Sequence, residues 1–446
     1  MEDYRLVADA VAADIAAGRL RPGDRLPTQR AFARRHGIAN STASRVYGEL
    51  ARRGLVVGEV GRGTFVRAAA PSPGSALVDP GSARIDLELN YPVLPEQPAL
   101  LAGGLTTLLR PDVLGAALRP VAPSGTPRAR EAAARLLARG GWSPDPARVL
   151  FAGNGRQAVA GAVAALVPPG GRLGVEALTY PMIKVIAGRL GITLVPLAVD
   201  EAGLRPDALA AAHRGTPLRA VYLQPTLQNP LGVTMPAGRR AELAAALREL
   251  DLHAVEDRIW AFLHEGDDPP LAALAPERTV MIDSLSKRLA PGLTAGFALV
   301  PPSHAEAVAA ALRSGGWTCA GFALEAATRW IADGTVAALE EAKRADAAAR
   351  QELAARHLAG FATRADRHSY YRWWELPEPW RAETFVAAAA RRGVAVTPAA
   401  SFAVAGGSAP AAVRIGLASP PPPVLSQALE TLAAVARGTP EDAAAD

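Results

Sequence analysis

Between residues 149 and 301 this chain repeats one pattern: a short apolar run of strand-forming residues, then a longer Ala- and Leu-rich stretch of helical character. The runs are VLFAG (149–153), RLGVE (172–176), ITLVPLAV (192–199), AVYLQP (220–225), HAVEDR (253–258), TVMIDSLS (279–286) and AGFALVP (295–301). Parallel strands need long crossovers, so these runs and their helices predict a mostly parallel seven-stranded α/β sheet covered on both faces. In such sheets ligands gather at the carboxyl ends of the strands. At 446 residues the chain exceeds what one core supports, so a further domain is expected.

The polar residues at those strand ends are informative as a set. The first run leads into GNGRQA (153–158) ahead of a helix, a turn whose backbone amides can hold a phosphate. The second leads to EALTYP with Tyr180, the fourth to QPTLQNPLG with Asn229, the fifth ends at Asp257 and the sixth at Lys287. Taken singly they read as a packing tyrosine, a turn residue, a cap and a surface charge. Their arrival at one end of one sheet points to a single site. A lysine amine condenses with an aldehyde. A carboxylate facing a pyridine nitrogen keeps it protonated and makes the ring an electron sink. An aromatic face stacks on that ring, and a glycine turn with serines holds a phosphate. This donor set describes a pyridoxal 5′-phosphate site. The chain has only three lysines (Lys184, Lys287 and Lys343), so one placed there is notable.

The N-terminal segment has a different character. Residues 1–70 hold 12 Arg, no Lys and 7 acidic residues, and so carry the entire formal excess of +5. That charge predicts a polyanionic partner for this segment. Helical spacing predicts helices over 4–17, 28–37 and 40–54, with Thr28 as an N-cap and Gly37 just past a helix end. In the third, Ala43, Val46, Tyr47 and Leu50 form the inward stripe, which turns Ser41, Thr42, Arg45 and Arg52 outward. Two short strand runs joined by VGRG follow, with Arg62 at the tip. Three helices and a two-stranded wing make a winged helix-turn-helix that would set its third helix in the major groove of double-stranded DNA.

The region LPTQRAFARRHGIANSTASRVYGELARRGLVVGEVGRGTFV resembles the GntR family of bacterial regulators. The resemblance implies operator contacts from Arg30, Asn40, Ser41, Thr42 and Arg45, with Asn40 standing where the family often has arginine. Further on, QPTLQNPLG, VEDRIW, SLSKRLAPG and VRIGLA resemble the fold-type I aminotransferases, which adds a small C-terminal α+β subdomain to the expected fold. Together the two halves resemble the MocR subfamily. That resemblance implies an internal aldimine at Lys287, Asp257 on the pyridine nitrogen, Asn229 on the ring oxygen and Tyr180 stacked on the ring. It places Gly155, Arg156, Gln157, Ser284 and Ser286 around the phosphate, and Arg414 on an effector's carboxylate. The expected organisation is a DNA-binding domain over 1–67, a linker over 68–86 and a cofactor domain over 87–436. Three departures stand out. Thr294 replaces a phosphate-clamping arginine, leaving Arg156 and Arg288 as cations that could take its place. Trp260 replaces a tyrosine that donates to the ring oxygen. RPVAPSG (119–125) lacks a tyrosine that reaches a phosphate across the dimer.

The combined expectation is a transcriptional regulator that senses a small amino acid, an amine or pyridoxal phosphate itself through aldimine chemistry at Lys287, acting as a head-to-tail homodimer. Two alternatives stand beside it: a working aminotransferase with an accessory DNA-binding head, and a regulator that has lost the cofactor. No apolar run is long enough for a membrane span, and the acidic N-terminus does not read as a signal peptide. One cysteine and scattered histidines give no expectation of a disulfide or a metal site, and a reducing cytoplasm is the expected compartment.

Overall fold

The computed structural model describes residues 4–16, 19–20, 23–52, 55–59, 63–66, 85–404 and 409–440. The seven runs form one sheet, in the order Val149–Ala152, Gly296–Leu299, Thr279–Ser284, His253–Asp257, Ala220–Leu223, Arg172–Glu176 and Thr193–Leu197. Gly296–Leu299 is antiparallel to both neighbours, and the other pairs are parallel. The connection from Ser284 to Gly296 is too short for a crossover helix, which forces that one reversal.

Helices cover both faces, which is why the strands read as continuous apolar runs rather than alternating ones. One face packs under the helix Gly155–Leu166, through Ala158, Val159, Ala162 and Val163. The other packs under Pro127–Leu137 and Gly321–Ala332, through Ala129, Ala133, Leu137, Leu324 and Trp330. The long helix Thr335–His357 then leads to the small subdomain. There an antiparallel sheet orders Thr363–Arg364, Tyr371–Glu375, Ala412–Gly416 and Thr397–Pro398, with the helices Ala382–Arg391 and Pro422–Arg437 against it.

The head has helices at Tyr4–Ala16, Gln29–His36 and Asn40–Arg52 and strands at Val56–Glu59 and Gly63–Val66. Thr28 caps the second helix, its Oγ1 accepting from Ala31 N at 3.3 Å, and Gly37 ends it in the left-handed region at φ 65°. The wing gains a third edge from the segment before the second helix: Val66 N donates to Asp24 O and Leu26 N to Thr64 O, both at 2.8 Å. Arg62, residues 67–84, which hold most of the linker expected over 68–86, and the last six residues lie outside the described residues. Ile85–Asp86, expected at the linker's end, form a strand paired with Val394–Ala395.

A buried ion cluster ties the Lys287 segment to the long helix. Arg288 donates to Asp283 Oδ2 at 2.5 Å and to Glu340, and its guanidinium lies 5.2 Å from the Phe262 ring centroid. Asp283 is only 1 % exposed, so water cannot stand in for that partner. Removing one member of a buried pair strands the other. Arg288→Met is expected to cost about 3–5 kcal/mol of stability in urea unfolding, with much of that recovered in the Arg288→Met, Asp283→Asn double variant.

Candidate functional site

The DNA-facing candidates occupy one surface of the head. Arg30, Asn40, Ser41 and Arg45 are exposed and Thr42 is half-buried, whereas Ala43, Val46, Tyr47 and Leu50 fill the small core. Tyr47 locks the two helices together: its hydroxyl donates to Pro27 O at 2.5 Å and its ring meets Phe32 edge-on at 5.2 Å. Two rigidly joined helices, with the polar start of the second turned outward, are what major-groove docking requires.

In the large domain, the carboxyl ends of four strands bring the other candidates together. Asp257 ends its strand fully buried, and burial pushes its carboxyl above the usual range. Three donors oppose that push: Tyr222 Oη at 2.6 Å, Gln224 Nε2 at 3.0 Å and Ile259 N at 3.0 Å. Gln224 also takes Asn229 N on its Oε1 at 3.1 Å, so one side chain aligns both residues. The loop that carries Asn229 is held in an unusual shape. Leu227 is fully buried at φ 50°, and Tyr371 Oη donates to its carbonyl. Such a conformation persists only where its surroundings over-determine it. Tyr180 sits at the start of the helix Pro181–Arg189, its hydroxyl pushed up to about 12 by burial and therefore neutral.

Lys287 follows the buried strand Thr279–Ser284 in a single helical turn. Its Nζ donates to Asn90 O at 2.6 Å and lies 4.6 Å from the Tyr91 ring centroid and 5.0 Å from that of Trp260. Burial, and then the positive charges of Arg414, Arg156 and Lys343, bring its amine down to about 7. Lys343, fully buried on the long helix, donates to the carbonyls of Lys287 at 3.0 Å and Leu289 at 2.6 Å. It holds the backbone that carries the amine.

Beside Lys287 stand three hydroxyls. Ser284 Oγ donates to Ser286 Oγ at 3.0 Å, and Ser286 Oγ lies 2.8 Å from Thr294 Oγ1. The helix Gly155–Leu166 begins here, with Asn154 Oδ1 capping Gln157 N at 3.0 Å. Gly155 allows a close approach, since a Cβ on it would lie 3.1 Å from Ser284 Oγ. A helix N-terminus over three hydroxyls is a site for an anion. Arg288 does not serve it, being committed to Asp283 and Glu340. Arg156 forms no ion pair among the described residues, and it remains the cation on hand.

Arg414 lies across the site on the strand Ala412–Gly416. It donates to Asn229 Oδ1 at 3.1 Å, to Thr397 Oγ1 at 3.4 Å and to the carbonyl of Glu88, with Phe402 at 5.1 Å from the guanidinium. Its buried Nε has no partner, and neither has Asn90 Nδ2. Two orphaned buried donors, a near-neutral lysine, a buried carboxylate and an anion cradle fit pyridoxal phosphate with a carboxylate-bearing ligand. Sequence reasoning missed Tyr222, Gln224, Glu88, Asn90 and Tyr91, which carry no motif. Lys343 had a signal, the scarcity of lysine. Among the described residues no cluster of His, Cys, Asp or Glu could hold a metal, and no helix is long and apolar enough to cross a membrane.

The fold and site together define an aminotransferase-type domain carried by a DNA-binding head. Residues 118–432 match the family described as aminotransferase class I and II, and residues 3–66 match the gntR family of bacterial regulatory proteins. The HTH-type transcriptional regulator YdeF of Bacillus subtilis is 30% identical over 419 residues, 94% of this chain and 90% of that protein. The pyridoxine biosynthesis transcriptional regulator PdxR of Corynebacterium glutamicum is 29% identical over 308 residues, 66% of this chain and 65% of its own. The solved kynurenine aminotransferase of Pyrococcus horikoshii shares the fold at a TM-score of 0.74 and 22% identity, over 81% of this chain and 93% of that one. The chain belongs to the MocR-type transcriptional regulators, in which a GntR-family winged helix is joined to a class I/II aminotransferase domain.

The unprotonated amine is the nucleophile, so the depressed value for Lys287 sets a pH profile. The rate at which the protein takes up pyridoxal phosphate should rise roughly tenfold per unit below pH 7 and level off above it. Stopped-flow absorbance across pH 5–10 checks this. A rate that climbs to pH 10, as for an exposed lysine, would contradict it.

Proposed function

We propose that this regulator binds pyridoxal phosphate at Lys287 and responds to a small amino acid or amine whose carboxylate reaches Arg414. The observation that carries the reading is the pairing of a near-neutral lysine with a buried, triply hydrogen-bonded Asp257, in a chain that also has a basic winged helix. When bound, pyridoxal phosphate supplies an aldehyde for amine capture and a pyridine ring that accepts electron density. The chain's own residues do the rest. Asp257 would hold a proton on the ring nitrogen, Asn229 would take the ring oxygen, and Tyr180 would cover one face of the ring. The hydroxyls of Ser284, Ser286 and Thr294, the amides of Gly155 and Arg156, and the side chains of Arg156 and Gln157 would receive the phosphate. Without a buried arginine in that cradle the dianion loses a charge-assisted partner, which weakens the hold on the phosphate. Arg414 stays charged at neutral pH even though burial lowers it to about 10, and so would orient a carboxylate.

The head would bind operator DNA through Arg30, Asn40, Ser41, Thr42 and Arg45, and through Arg62 of the VGRG run. A head-to-tail homodimer suits both halves, because paired heads read paired half-sites. Support comes from the large-domain surface, where Val93, Leu100, Leu109, Leu114 and Leu118 are exposed within one short stretch and Phe322 is exposed on a helix packed against it. Exposed apolar side chains concentrated in this way suit a contact surface. Leu109→Asp with Leu118→Asp should shift the protein toward monomer in sedimentation.

A second reading, transamination, is favoured by the presence of Lys287, Asp257 and Arg414 together, and sustained conversion of 2-oxoglutarate to glutamate would establish it. Two measurements test the main reading. Protein mixed with pyridoxal phosphate should develop a visible absorbance band that is lost in Lys287→Ala; a colourless wild type would overturn the cofactor assignment. Arg45→Ala should weaken binding to DNA from upstream of the protein's own gene by about tenfold, and wild-type affinity should fall steeply with salt.

A further inference from the structure

We propose that residues 85–91, where the chain enters the large domain from the linker, are the output strand of the ligand site. The inference rests on the ligand-responsive reading above and supplies its route to the head.

The segment has two kinds of attachment. The first kind is fixed to the small subdomain. Ile85 N donates to Gly393 O and Leu87 N to Ala395 O, both at 2.9 Å, and Gly416 N donates to Leu87 O at 2.7 Å. Leu87 is fully buried in the small subdomain's core. Asp86 Oδ1 accepts from Glu88 N at 2.7 Å and Leu89 N at 3.1 Å, which turns the chain toward the site. Asn90 Oδ1 accepts from Ala418 N at 3.1 Å, and Ser419 Oγ donates to Leu89 O at 3.0 Å.

The second kind comes from the ligand-binding groups themselves. Arg414 donates to the carbonyl of Glu88, and Lys287 Nζ donates to the carbonyl of Asn90 at 2.6 Å. A ligand that engages either group competes with this strand for the same donor. At Arg414 a carboxylate outcompetes a neutral carbonyl, because the bond to an ionised acceptor is stronger. At Lys287 the neutral amine adds to an aldehyde carbon: a C=N bond forms, the C–O bond breaks, and the oxygen leaves as water with both amine protons. The donor to Asn90 O is then gone. The buried Asn90 Nδ2 has no partner in the present arrangement, so the strand is not fully satisfied where it lies.

The packing leaves little freedom on the other side. A Cβ on Gly416 would lie 2.8 Å from both Leu87 O and Leu89 O, so the strand rests directly on the backbone of the strand that carries Arg414. Ligand occupancy therefore acts on the last backbone before the linker, with no intervening layer of side chains. Only a difference in how the two states hold this strand can bias the head.

Hydrogen exchange on the full chain, with and without pyridoxal phosphate, tests this, with absorbance read on the same samples. The expected result is a visible band together with exchange in 85–91 that is faster by roughly threefold to tenfold, while the core strands 220–223 and 253–257 are unchanged. Lys287→Ala, which lacks the donor from the start, should show the faster exchange already and no response to pyridoxal phosphate. A band with unchanged or slower exchange in 85–91 would overturn the output-strand proposal and leave the cofactor reading standing. Absence of a band would overturn both.

Discussion

A lysine amine held near neutrality at the end of a fully buried strand is the constraint around which the large domain is arranged. Burial is the main reason an ammonium is poorly tolerated at Lys287, and the positive charges of Arg414, Arg156 and Lys343 add to it. The strand Thr279–Ser284 is buried along its whole length, so the position of Lys287 is set by sheet geometry rather than by a loop. Lys343 then holds the carbonyls on either side of Arg288, and Arg288 is itself locked between Asp283 and Glu340. Amine chemistry and local stability depend on the same few side chains.

This arrangement explains how an arginine next to the lysine fails to compensate for Thr294. Arg288 faces away from the anion cradle into a buried ion cluster, and its withdrawal would strand Asp283. The cradle is left with hydroxyls, helix amides and Arg156. That set can bind a phosphate, but with fewer charge-assisted bonds than a buried arginine would give.

Much of this was legible in the sequence because its causes are local or periodic. The seven apolar runs predicted seven strands of one sheet, since full burial on both faces writes itself as continuous hydrophobicity. Thr28 and Gly37 predicted the ends of the second head helix. The antiparallel course of Gly296–Leu299 followed from a short connection that pattern reading did not weigh. At the site, strand-end residues were legible, but the residues that orient them were not. Tyr222 and Gln224 reach Asp257 only because parallel neighbours place them side by side, and Asn90 reaches Lys287 across nearly two hundred residues of chain. Long-range approach of this sort leaves no spacing to read.

If the lysine site and the DNA-binding head are thermodynamically linked, as proposed, occupancy of one changes the affinity of the other. Fluorescence anisotropy measures it directly, with a labelled duplex from upstream of the protein's own gene titrated by wild type and Lys287→Ala, each with and without pyridoxal phosphate. The expected result is a change in wild-type DNA affinity of about fivefold or more on adding pyridoxal phosphate, and none in Lys287→Ala. Equal affinities under all four conditions, or the same change in both proteins, would contradict the linkage.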